Sequence, residues 1–495
     1  MADLSVHDPR LATVLGAEAA GALADLLGRS QPLIITDTLQ TDGRGSGATV
    51  LSATIGNTVT GAATQHLIVK FEPDPTIRAD RNRKEVDVWA GAGDFRPHLA
   101  ERGVSFVLER LGRLSFHKIA QDSLRRWGPI PEDTPSERLS RLLEEITRSI
   151  VVPWNQSRPV DRHVSLSEAM DAHLGVRIRP GGTIYKWARP QGLLDPDCNW
   201  IAGSPDGREL PNPFRLATLT EERIHLRCGP AHGDLHPGNV LVEKDGESVD
   251  FVLIDADRYS EDGPLARDPV HLLLWLLAWD PPEGQAERYA LIDLLIGRPA
   301  HGVAAARKRL VDAYEAGSTG HVEGAMGDLW DTQRLFSLAA CALMFPVRPR
   351  ILADSTWWWF VQLAAEATRV VLDRLGVRLT AGTPPVQVRA PLVSVGGELS
   401  THTDSDDVLC VLRTTYFDPS SRRTFRASAK ELATILRLDH LSFDGLPAEV
   451  GIYCRRLRAL LTECDDPKVS NRRVAAIARE AEAYQTILVT LLERK

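Results

Sequence analysis

The segment His232-Gly233-Asp234-Leu235-His236-Pro237-Gly238-Asn239 constrains the fold more than any other, because its His-x-Asp-x-x-x-x-Asn spacing runs straight into apolar sequence. That sequence, Val240-Leu241-Val242, is followed by Lys244-Asp245-Gly246-Glu247 and by a second apolar run, Phe251-Val252-Leu253-Ile254, which ends at Asp255. Two short β-favouring runs around an Asp-Gly pair fold back on each other as a hairpin. The asparagine entering the first strand and the aspartate leaving the second then stand side by side. At roughly one in twenty per specified residue, His-x-Asp with Asn five further on arises by chance about 0.06 times in a chain this long, so ordinary turn capping explains it poorly.

An asparagine and an aspartate brought together supply the hard oxygen donors that magnesium takes from a protein, the rest of its shell being phosphate and water. Asn239 and Asp255 are therefore the expected metal ligands. Asp234, five residues before Asn239 in the same loop, is the expected catalytic base, placed to accept the proton of an attacking hydroxyl.

HGDLHPGNVLV followed by FVLIDADR resembles the catalytic loop and metal-binding aspartate of the aminoglycoside phosphotransferase, choline kinase and related small-molecule kinases. The resemblance implies an α+β, bilobal protein-kinase-like fold, with a small antiparallel β lobe and a larger helical lobe. It also implies ATP and Mg2+ as cofactors, and transfer of the γ-phosphate to the hydroxyl of a small molecule. By the same resemblance Asp234 is the base, Asn239 and Asp255 bind the metal, and His232 holds the loop by hydrogen bonds. Asp268 resembles the structural aspartate that follows this motif, and an ordinary helix N-cap is the alternative. After Asp255 comes Ala256-Asp257, where protein kinases carry Phe-Gly, and Asp257 reads as a salt-bridge partner rather than a further ligand.

Upstream, Gly43-Arg44-Gly45-Ser46-Gly47-Ala48-Thr49-Val50 matches the kinase glycine loop except that Ala48 replaces the last glycine. Gly43, Gly45, Ser46 and Gly47 are expected to turn backbone amides toward ATP phosphates. Leu67-Ile68-Val69-Lys70-Phe71 follows at the spacing of the third strand, where a lysine contacts the α and β phosphates. The chain holds only nine lysines among its 58 basic residues, so the placement of Lys70 carries weight. Glu85, fifteen residues on, is its expected partner, with Asp87 as the weaker choice. Leu108 and Glu109 fall where the two lobes join and backbone groups would meet adenine.

Periodicity sets the larger plan. A first helix is expected at about 10–28, strands at Thr49 to Ile55 and Gln65 to Phe71, and a helix near Ala79 to Ala92. Helical spacing then dominates: Ser136 to Ile150, Asp268 to Trp279, Gln285 to Leu295, Val303 to Ala316, Met326 to Leu343 and Trp357 to Leu375. Residues 176–227 read as a long loop with strand-like pieces such as Gly182 to Trp187, suited to substrate contact or a lid. Trp357-Trp358-Trp359-Phe360 reads as core packing. The expected domains are a nucleotide-binding lobe at 1–110, a helical catalytic lobe at 111–379, a Pro/Gly/Ser/Thr-rich linker at 380–407 and a small all-α module at 408–495. The last weakly resembles the death-like effector-associated adaptor domains of bacterial conflict systems, which would imply docking to another protein; a purely structural helical cap is the alternative. A kinase-fold regulatory protein that recruits partners through that module is the rival to the enzyme reading, and proteins of that kind usually lack a catalytic residue that this chain retains.

The net charge of −8 lacks the basic excess of a nucleic-acid or anionic-membrane binder, so neither partner is expected. The six cysteines form no CxxC pair, which argues against a zinc site and a disulfide framework. No signal peptide or membrane-spanning run is read, and the cytoplasm is the expected location.

Overall fold

The structure, a computed structural model, describes residues 8, 10–27, 33–40, 49–56, 63–72, 87–108, 112–118, 127–156, 159–202, 209–244, 246–282, 284–319, 325–348, 356–379 and 385–388. The chain divides into two compact units: Met1–His173, Leu219–Ala342 and Glu366–Arg378 form the first, and Leu174–Thr218, Leu343–Ala365 and Leu379–Lys495 the second.

In the first unit, α1 (Arg10–Leu15) and α2 (Ala17–Leu27) precede five antiparallel strands: β1 (Leu33–Gln40), β2 (Thr49–Gly56), β3 (Ala63–Glu72), β4 (Glu101–Leu108) and β5 (Gly112–Lys118), in the order β1-β2-β3-β5-β4. The single helix expected at 10–28 is two, because Gly16 adopts φ +86°, a left-handed turn that ends α1. Strand alternation decides what each sheet face meets. Leu51, Ala53, Leu67, Val69 and Phe71 pack with Leu11, Leu15, Ala19, Ala20 and Leu23 of the helices. The alternate residues Val50 and Ile68 pack with Trp127, Leu241 and Val252. Lys70 pairs with Val50 in the β2–β3 register, so it shares the face of Ile68, toward the strands that carry Leu241 and Val252.

Those strands are β6 (Trp127–Pro129), β11 (Val240–Glu243) and β12 (Phe251–Leu253), in the order β12-β11-β6. The expected hairpin is present: Val240 pairs with Leu253, Leu241 with Val252 and Val242 with Phe251. A third sheet has the order β13-β10-β7, from β7 (Val160–Ser165), β10 (Arg223–Ala231) and β13 (Ser260–Pro264). The helices, in chain order, are α3 (Ser136–Val151), α4 (Leu166–Leu174), α5 (Thr183–Ala188), α6 (Arg267–Trp279), α7 (Gln285–Leu295), α8 (Ala305–Ser318), α9 (Ala325–Ala342) and α10 (Thr356–Leu375); α5 and the first half of α10 belong to the second unit. Their spans match the apolar three- and four-residue spacing; in α3 that stripe is Leu139, Leu142, Leu143, Ile146 and Ile150, all buried.

The second unit corrects one expectation. Gly182 to Trp187 is helical rather than strand-like, since Ile184, Trp187 and Ala188 bury at i, i+3 and i+4. The 176–227 stretch is less of a loop than its composition implies, with α5, β8 (Trp200–Ala202), β9 (Leu210–Pro211) and the first residues of β10 inside it. β14 (Val386–Gln387) runs parallel to β8. Trp359 and Phe360 are fully buried, and Phe360 stacks on Phe345 at 4.4 Å. The rest of the 380–407 stretch and the 408–495 module lie outside the described residues, and among those described no helix is long and apolar enough to cross a membrane.

A buried histidine gives the first unit a pH response. His173 on α4 is fully buried, its Nδ1 lies 2.7 Å from Ala169 O and its Nε2 lies 2.9 Å from Ser337 Oγ. A carbonyl only accepts, so Nδ1 carries the proton and Nε2 accepts from the serine hydroxyl. Burial pushes the imidazole down to about 3, against a smaller upward pull from the Ala169 hydrogen bond; the Arg267 charge adds a lesser downward push. The unfolded chain binds a proton there below about 6.5 and the folded chain does not, so this contribution to stability is complete above that pH and fades as pH falls. Lowering the pH from 7 to 5 should therefore cost about 2 kcal/mol through this one group. Chemical denaturation at the two pH values, in wild type and His173→Gln, should show the acid loss reduced by about that amount in the variant.

Candidate active site

Strand β10 ends at Ala231, and the next residue begins the loop that hydrogen bonds hold in place. His232 is fully buried; its Nε2 lies 2.8 Å from Ile254 O, and its Nδ1 lies 3.3 Å from the backbone N of Asp234. Ile254 O can only accept, so the ring donates from Nε2 and accepts at Nδ1, which ties the loop to the end of the hairpin.

Gly233 has φ +82°, and a Cβ added there would stand 2.1 Å from Arg258 O. Its N–H points at both carboxylate oxygens of Asp268, at 3.1 Å each. Asp268 is therefore no N-cap: Ala266 holds that position, and Asp268 lies in the first turn of α6, 1% exposed. Arg267 places Nη1 3.4 Å from Asp268 and Nε 2.9 Å from His173 O. A buried chain of contacts thus runs from α4 through α6 to the loop.

The remaining residues come together at the end of the hairpin. Asn239 closes a 3-10 turn, donates Nδ2 to Asp234 O at 3.0 Å, and its own carbonyl accepts from Ile254 N at 3.0 Å. Among the described residues its amide oxygen accepts no bond. Asp255, one residue past Ile254, has φ 62° and ψ 51°, the only positive-φ non-glycine described. A left-handed aspartate costs something and persists where its surroundings over-determine it. Here that surrounding is Lys70, whose Nζ lies 2.6 Å from Asp255 Oδ1 across 185 residues of sequence. Burial works against charge on Asp255, but the ammonium, by charge and hydrogen bond, outweighs it and holds the carboxyl below its usual range. Lys70 is 6% exposed and Asp255 34%, so the lysine is sunk in the sheet face while the carboxylate keeps access to solvent.

Arg258 went unassigned in the sequence reading, and it reaches the site twice. Its carbonyl sets the limit on Gly233, and its Nε stands 3.4 Å from Asp234 Oδ2. The only sequence signal was its place three residues after Asp255, in a turn no motif covers. Of the other expected residues, Gly43, Gly45, Ser46, Gly47, Glu85 and Glu109 lie outside the described residues, as does the side chain of Asp257. Leu108 is the last residue of β4 and pairs with Gly112. Asp87 is exposed, while Val88 and Trp89 beside it line a small crevice with Asp255.

Among the described residues no three His, Cys, Asp or Glu side chains are grouped to hold an ion. The Asn239 and Asp255 oxygens are a two-donor set, the kind a magnesium ion completes with phosphate.

No protein-family model matches the chain, and no curated protein matches it either. Similar solved structures include an aminoglycoside-3'-phosphotransferase of type VIII, 16% identical over 64% of this chain and 97% of that one, with a TM-score of 0.33. Another is the spectinomycin phosphotransferase APH(9)-Ia in complex with ADP and spectinomycin, 11% identical over 71% of this chain and 97% of that one, with a TM-score of 0.31.

Proposed function

We propose that the chain is an ATP- and magnesium-dependent phosphotransferase that moves the γ-phosphoryl group of ATP to a hydroxyl of a small molecule. One observation carries the reading: Lys70 on β3 meets Asp255 at 2.6 Å, beside the loop that bears Asp234 and Asn239. A lysine, two oxygen ligands and a base from separate segments are the parts that phosphoryl transfer needs, since its barrier falls mainly through positioning and charge neutralisation.

Asp234 would orient the acceptor hydroxyl and take its proton as the oxygen–phosphorus bond forms and the bond to ADP breaks. Arg258, 3.4 Å from Asp234, would help fix the direction of that carboxylate. Asn239 and Asp255 would hold the magnesium ion, which when bound neutralises phosphate charge. Lys70 would serve the α and β phosphates, a second use for an ammonium that neutralises Asp255 in the structure as it stands.

Lys70→Met keeps the apolar stem and removes the charge, so it should weaken ATP binding about tenfold or more, as read by calorimetry. The activity itself is tested with γ-labelled ATP and a panel of hydroxylated metabolites, with Asp255→Ala as the blank. Transfer of label by wild type alone is the expected result. Equal transfer or equal release by both proteins would remove the assignment.

A further inference from the structure

A cavity of about 450 Å3 lies in the first unit, bounded by Val151 at the end of α3, Arg227 on β10, Leu265, and Leu329 and Trp330 on α9. It is separate from the site above. Arg227 lies at the middle of β10, four residues or about 13 Å of strand before Ala231, and the loop of Asp234 begins only beyond Ala231. The volume falls in the range of small-molecule pockets.

Buried side-chain N–H groups without a partner occur at several places among the described residues, and two of them belong to residues that line this cavity. Trp330 is 7% exposed, and its indole Nε1 has no hydrogen-bond partner among the described residues; the buried Nε of Arg227 has none either. No carboxylate among those residues pairs with the Arg227 guanidinium. Buried N–H groups are almost always satisfied, so two orphans on one cavity wall point to a missing acceptor. The backbone beneath them is fixed: Gln333 accepts from Arg227 N at 2.7 Å and donates to Arg227 O at 3.0 Å, which clamps β10 to α9. A third orphan on the wall, Asn155 Oδ1, lies against Gly229 and belongs to strand packing. Asp161 and His225 also line the cavity and are exposed.

We propose that this cavity binds a small organic anion, a carboxylate or phosphate monoester with an apolar body. Its oxygens take the N–H groups of Arg227 and Trp330, and its body lies against Val151, Leu265 and Leu329. An arginine fork suits either anion; Asp161, opposite Arg227 in the β10–β7 register, is exposed and forms no ion pair with it among the described residues.

The test uses the full chain with benzoate, phenyl phosphate and neutral benzyl alcohol as probes, in calorimetric titrations at saturating ADP, which fills the nucleotide site and has no γ-phosphoryl group to transfer. At least one anion should bind about tenfold or more tightly than benzyl alcohol. Which anion binds identifies the headgroup. That binding should weaken about tenfold in Arg227→Gln and severalfold in Trp330→Phe, and persist in Asp234→Asn. The Arg227 side chain holds no partner among the described residues, so its loss should leave the fold intact; if melting shows otherwise, Trp330→Phe decides. The proposal is overturned if neither anion is preferred to benzyl alcohol, if both variants bind as wild type does, or if Asp234→Asn abolishes binding.

Discussion

Replacing Asp234 by asparagine should lower turnover by about 10² to 10⁴, the usual contribution of a positioned base, with ATP binding and melting temperature close to wild type. The separation follows from the contacts. The tie to Asn239 uses the backbone carbonyl of Asp234, which the substitution keeps, and His232 holds the backbone N–H. The side chain's ion pair with Arg258, at 3.4 Å and partly exposed, contributes little to stability. The substitution removes the proton acceptor and keeps the backbone ties of the loop. Steady-state kinetics on any acceptor found by labelled ATP measures this, and an unchanged rate would contradict the role given to Asp234.

Gly233→Ala should be damaging for a different reason, with a loss of about 3 kcal/mol or more in folding stability or an inactive, displaced loop. The new methyl group would meet a backbone oxygen, Arg258 O, at 2.1 Å, on a residue already at φ +82°. No side chain can swing aside to relieve that contact. Movement of Gly233 would also break its two bonds to Asp268, leaving a 1%-exposed carboxylate short of donors. Gly284, with open space around its Cβ position and no positive φ, is the control, and Gly284→Ala should change little. Chemical denaturation of the two variants side by side, with activity read in parallel, distinguishes loop strain from a general intolerance of alanine.

The parts of the site legible in the sequence are those that depend on local spacing. The hairpin from Val240 to Leu253 could be read because each strand and its connection are contiguous, and spacing alone placed Lys70 on the third strand. The helices from α6 to α10 were legible within two residues, because long apolar stripes leave little choice. Short elements were not. Six residues at Gly182–Trp187 fit either period, and only burial of Ile184 and Trp187 resolves them as a helix. Gly16 splits the first helix through a backbone angle that an isolated glycine does not announce. Contacts across long separations were less legible: Asp268 reads in sequence as the structural aspartate after the motif or as a helix cap, with no sign that it meets Gly233, and Arg258 gains its meaning only when the turn after Asp255 folds over the loop. The Arg227 and Trp330 cavity has no motif at all, since its walls come from α3, β10 and α9.

The most direct test of the central claim is calorimetric titration of the full chain with Mg·ATP, repeated without magnesium and with Asp255→Ala. Saturable binding in wild type that weakens sharply in both controls is the predicted result. A folded wild-type chain that takes up no Mg·ATP, or that binds ATP equally in all three titrations, would contradict the account.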